Sequence, residues 1–239
     1  MDTASSRRRL IPRHDVDLAA GLVRQAVRET QVEMRSGGLT RETGVTGTLV
    51  TQINQQFRNA TGFHGTFRAR ELRLREEAEL GGDILLLLVT PSGDKWTQLQ
   101  GKLGRRIASE WPRLQAECER MREHGSSRGL IYYNDEFIAA DGRKIPWPAA
   151  RPAQRPTIGE ELPPHWYPLH TNLGFFFDCW GGSRRHIPAA IDPVWVIGIT
   201  YTPVDTPEAL SDSDGRLGRI LELLTLRASE RDRTRPDQG

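Results

Sequence analysis

Apolar residues at Val16, Ala19, Ala20, Val23, Ala26, Val27 and Val32 recur at helical spacing after Asp15, so the chain opens with an amphipathic helix that Ser36, Gly37 and Gly38 end. Thr40 then caps a second helix, with Val45, Leu49, Ile53 and Phe57 along one side and Glu42 in its first turn, where a carboxylate suits the helix dipole. After the break at Thr61 and Gly62, residues 63–79 mix alternation with dense charge, and part of 67–74 reads as a strand. Residues 84–89 form an unbroken apolar run, the pattern of a central strand covered on both faces. Turn residues follow at 91–94. Residues 96–102 then alternate, with Gln98, Gln100 and Lys102 opposite Thr97, Leu99 and Gly101, which predicts a hairpin with the preceding strand.

Ile107, Trp111, Leu114, Cys118 and Met121 step by four and three, which predicts another helix. Ser109 is its expected cap, Pro112 falls in its first turn and Gly125 ends it. Residues 130–133 return as a strand, so strand, strand, helix, strand gives a mixed α/β core. Residues 141–170 carry seven prolines and little periodicity, the pattern of a long loop. Further strands are expected at 175–177 and 194–199, and a last helix at 217–227. The organisation expected is one domain over 15–229, with disordered ends at 1–14 and 230–239.

Composition narrows the picture only slightly. The 239 residues are 37% hydrophobic and 27% charged, polar but able to fold, and 33 basic against 31 acidic residues leave a net charge of +2. That balance gives no general basic character, so any affinity for phosphate is local. Two cysteines are too few for a disulfide framework and suit a reduced, cytoplasmic setting. No apolar run approaches the roughly 18 residues of a membrane span, and no apolar stretch follows Arg7-Arg8-Arg9 as a leader peptide requires.

The chemistry concentrates in the predicted hairpin. Gln100 and Lys102 project from one face of their strand, and Asp83 stands at the mouth of the other. An even-numbered loop turns Asp83 onto the same face; an odd one turns it away. Asp83 offers a hard oxygen of the kind Mg²⁺ prefers, Gln100 a neutral oxygen, Gly101 a backbone carbonyl, and Lys102 a cation for a charged transition state.

Gly82-Asp83, the apolar strand, Gln100-x-Lys102 and the helix after it resemble the core of the PD-(D/E)XK, or restriction-endonuclease-like, nucleases over about residues 40–135. Gln100 replaces the commoner Glu, as in the Mrr-like branch, and Gly82 stands where a proline is usual. The resemblance implies an α/β/α sandwich around a mixed sheet. It also implies a metal-dependent endonuclease using Mg²⁺ or Mn²⁺, with Asp83 and Gln100 as metal ligands, Lys102 as catalytic lysine and Glu42, or else Glu77 or Glu79, completing the site. The implied substrate is nucleic acid, foremost DNA, in bacterial defence or DNA processing; a homodimer or a defence-system partner protein is compatible with it. The alternative is a non-catalytic interaction or scaffold protein of the same fold.

Elsewhere, Arg105 and Arg106 follow the proposed site and are placed to meet a phosphate backbone. The alternating Arg68, Arg70, Arg73 and Arg75 suit a solvated face equally well. No two of the six histidines show the i, i+4 spacing of a helical zinc motif, so surface or core roles are expected for them. Cys179 with His186 is a conceivable nucleophile and base, although a Cys among aromatics usually is simply buried. Trp166, Tyr167 and Trp180 are aromatic enough to stack on bases, though core roles are the commoner use.

Overall fold

The computed structural model describes residues 10–145, 164–178 and 182, all within the compact unit spanning Met1–Ile191. The elements run α1 (Arg13–Arg35), α2 (Glu42–Asn59), β1 (Thr66–Glu71), α3 (Leu74–Leu80), β2 (Ile84–Thr90), β3 (Gly93–Leu103), a single 3-10 turn (Gly104–Arg106), α4 (Ile107–Glu123), β4 (Arg128–Tyr132), β5 (Phe137–Asp141), β6 (Tyr167–Pro168) and α5 (Leu169–Phe177). The fold is mixed α/β, built on one open six-stranded sheet in the order β1-β2-β3-β4-β5-β6. Every neighbouring pair is antiparallel except β3 with β4. A parallel pair needs a crossover, and α4 supplies it.

Alternation along the strands sorts the core into two clusters on opposite faces. Leu99, Leu103, Leu130, Tyr132 and Ala139 pack with α1, α2 and α5, whereas Ile131, Ile138 and Ala140 pack with Leu114, Cys118 and Met121 of α4. All seven residues of β2 are buried, as the unbroken apolar run requires of a strand covered on both faces. Burying each of its leucines is worth about 1.5–3 kcal/mol.

Several local expectations change. Residues 175–177 are the end of α5, not a strand, because a helix lets Phe176 and Phe177 both reach Phe67. Helix α2 begins at Glu42, one residue after Arg41, and Thr40 makes no cap. Helix α4 begins at Ile107, so Ser109 lies inside it and donates its hydroxyl to the Arg106 carbonyl at 3.0 Å. Helix α3 and strand β5 were not anticipated. The end of the proline-rich stretch is ordered into β6 and the start of α5. The strand expected at 194–199 and the helix at 217–227 lie outside the described residues, as do 1–9 and 230–239.

Candidate metal centre at the end of the β2–β3 hairpin

Pro91 and Ser92 connect β2 to β3 as a two-residue loop, so the register is even. Ile84 pairs with Leu99, and one further step sets Asp83 against Gln100 on the α4 side of the sheet. The Asp83 N–H donates to the Leu99 carbonyl at 2.9 Å. There the ladder ends, and one oxygen of the Asp83 carboxylate accepts two bonds of 2.7 Å, from the Gln100 amide and from the Gly101 N–H. Gly82 leaves no room for a side chain: a Cβ there would stand 2.9 Å from Gln98 Oε1 and 3.1 Å from Met121 Sδ.

Lys102 shares the face of Gln100, and its side chain is fully buried. Its ammonium sits 3.5 Å from Glu42 Oε1 and 3.1 Å from Glu117 Oε2. Glu42, the first residue of α2, also accepts the Leu103 N–H at 3.3 Å, which fixes that helix end to the end of β3. Glu117 comes from α4 and turns its other oxygen to Arg113 Nε at 2.8 Å. Glu42 of α2 and Glu117 of α4 thus meet Lys102 of β3, on whose strand face Gln100 binds Asp83, the residue just before β2.

Burial dominates the electrostatics. It pushes the Asp83 carboxyl from its ordinary value near 3.8 up to about 7; Lys102 and the Gly101 N–H oppose the rise, and Glu42 and Glu77 add to it. Burial also raises Glu42, against the pull of Lys102 and with help from Glu110. The Gln100 amide oxygen, Oε1, is buried without a hydrogen-bond donor. A buried acceptor lacking a donor costs about 1–3 kcal/mol. Asp83, Glu42 and the Gln100 amide oxygen are side-chain oxygens near this end of the hairpin, the ligand type that a hard divalent cation such as Mg²⁺ or Mn²⁺ prefers.

Of the other expected site residues, Gly101 engages Asp83 through its N–H, and it must be glycine because a Cβ would lie 2.6 Å from the Tyr132 ring. Arg105 and Arg106 are exposed on the 3-10 turn beside the site, with Arg105 also donating to the Thr40 carbonyl. Trp166 is buried against Trp111 and offers no stacking surface, while Tyr167 is partly exposed. Cys179, Trp180 and His186 lie outside the described residues. Glu117 and Arg113 were missed. The only hint of Glu117 is its place beside Cys118 on the edge of an apolar stripe, where a carboxylate needs a partner. No family model, no curated protein and no solved structure matches the chain.

Proposed function

We propose that the chain is a divalent-cation-dependent nuclease of restriction-endonuclease-like fold that hydrolyses phosphodiester bonds, foremost in DNA. The observation that carries this reading is the opposition of Asp83 and Gln100, the latter with a donorless amide oxygen and on the same strand face as a lysine held between two glutamates. The parallel β3–β4 pair with α4 as its crossover is the arrangement the Gln-x-Lys resemblance calls for.

Asp83 and Gln100, with Glu42, would hold Mg²⁺ or Mn²⁺, which when bound activates water and offsets charge on the leaving oxygen. Lys102 contributes a fixed positive charge for the phosphate as negative charge builds on it. Glu42 and Glu117 fix where that ammonium points. Arg105 and Arg106, exposed beside the site, give backbone phosphates a landing place without reading sequence. A role in bacterial defence, acting as a homodimer or beside a partner protein, belongs to the same proposal.

The test is incubation of the purified chain with linear and plasmid DNA, and separately with RNA, in Mg²⁺ or Mn²⁺. Cleavage of DNA that stops with EDTA and in Lys102→Ala is the expected result; undiminished cleavage by Lys102→Ala removes the assignment. A non-catalytic scaffold is the second reading, favoured by the complete burial of Lys102 between two carboxylates. It requires no cleavage of either nucleic acid and a folded-state penalty in Lys102→Met.

A further inference from the structure

A second group of donor atoms lies where the first turn of α1 meets the loop before β1. His14 Nε2 stands 2.9 Å from Asp15 Oδ1. His64 Nδ1 stands 3.3 Å from Asp15 Oδ1 and 3.1 Å from Oδ2. One donor atom from each residue falls within 4.8 Å of the others. The two imidazole rings are nearly perpendicular, with centroids 5.5 Å apart.

Their exposure is uneven in an informative way. The Asp15 side chain is fully buried, while those of His14 and His64 are about two thirds exposed, at 67% and 64%. The carboxylate also accepts the His64 N–H at 2.7 Å, so it already fastens the loop to the helix. A buried carboxylate is stabilised by a matched positive charge or by a metal. Around a tetrahedral ion with arms of about 2.0–2.1 Å, neighbouring donor atoms stand about 3.3 Å apart. The contacts from Asp15 to both imidazoles come close to that spacing.

We propose that His14, Asp15 and His64 form a transition-metal site, best suited to Zn²⁺, that pins the start of α1 to the loop preceding β1. Two imidazoles with one carboxylate favour Zn²⁺ over the all-oxygen preference of Mg²⁺. Both imidazoles reach solvent, so water completes the coordination from outside. The site is separate in sequence from Asp83, Gln100 and Lys102 and does not depend on their role.

The experiment uses the full chain, stripped with a chelator and titrated with Zn²⁺ alone by calorimetry, alongside Lys102→Ala and the double variant His14→Ala/His64→Ala. Expected are one Zn²⁺ per chain in the unaltered protein and in Lys102→Ala, and loss of that binding in the double variant. A rise in Tm of about 5–10 °C is expected at a hundredfold excess of free Zn²⁺ over the dissociation constant. Because both imidazoles are exposed, the double variant should fold, and its Tm in chelator checks this. Independently of any variant, Zn²⁺ should shift the imidazole NMR signals of His14 and His64 alone among the six histidines. Absence of binding, binding that survives in the double variant, or shifts confined to other histidines each overturns the proposal.

Discussion

Strand β3 carries two lysines, Lys95 and Lys102, and the fold buries both, at 2% and 0% exposed. Seven residues apart on an alternating strand, they face opposite ways. Lys95 points toward α5, where its ammonium donates to the Phe176 carbonyl and lies 4.8 Å from the centre of that ring. Lys102 points toward α4 and meets Glu42 and Glu117, and its charge reaches Asp83, while Gln100 shares its strand face. Burial alone therefore does not mark a functional lysine. A carbonyl and an aromatic face are among what holds Lys95, whereas Lys102 lies between two carboxylates, the setting on which the proposed metal site rests.

The largest expected effect separates the two lysines directly. On the proposed nuclease reading, Lys102→Ala should lower turnover by about a thousandfold, the scale of removing one preorganised charge from a transition state. Lys95→Met keeps the apolar stem and should leave turnover per folded molecule unchanged. Its cost falls on stability instead, about 1–3 kcal/mol from leaving the Phe176 carbonyl without this donor. Single-turnover cleavage and denaturant melts on both variants decide it, and equal loss of activity in both would erase the contrast.

Next in size is a pH effect that belongs to the Lys102 end alone. The Asp83 carboxyl is raised to about 7, so the fold prefers it protonated. Its contribution to stability is complete below the unfolded value near 3.8 and is lost as pH rises through about 7. A bound divalent cation needs the carboxylate form, so Mg²⁺ or Mn²⁺ affinity should fall by roughly tenfold per pH unit below 7. Asp83→Asn should abolish that slope, and it should also gain stability relative to the unaltered chain at pH 8 in chelator. Calorimetric Mn²⁺ titrations and melts at pH 5.5 and 8 test both.

The contrast between the two faces was partly legible in the sequence. Alternation put Gln100 and Lys102 together without help, and only the length of the loop between Thr90 and Gly93 decided where Asp83 would fall. Glu42 was legible as the acid of a helix start, since its dipole role and its approach to Lys102 need the same position. Glu117 was not, because what calls for a carboxylate at that point on α4 is a lysine on a strand, a tertiary contact with no local trace. Helix α3 escaped because its seven residues hold few apolar positions from which to read a period. The run at 175–177 misled because aromatic residues favour strands locally, while contacts with Phe57 and Phe67 hold it helical. His14, Asp15 and His64 could not be joined from spacing, since 49 residues separate the carboxylate from the second imidazole.

A smaller effect tests how the site is braced. Gly101→Ala sets a Cβ 2.6 Å from Tyr132 Cε2 and 2.7 Å from its hydroxyl. Tyr132 is buried and hydrogen-bonded to Thr46 of α2 at 3.1 Å, so the ring can yield only by disturbing the helix that carries Glu42. Overpacking of this kind costs about 1–3 kcal/mol. Melts should show that loss, and cleavage should fall with it, while Lys95 and its surroundings stay intact.

The smallest expected effect falls on Glu117. Changing Glu117→Gln keeps an oxygen near Lys102 but removes a charge that also holds Arg113 at 2.8 Å. If Glu117 acts by aiming the ammonium, kcat should drop by roughly tenfold with KM little changed, the scale on which outer partners of a site matter. Glu117→Asp keeps the charge on a shorter stem and should recover only part of the rate. Were Glu117 only a structural partner of Lys102, both variants would change the melting temperature and leave kcat where it was.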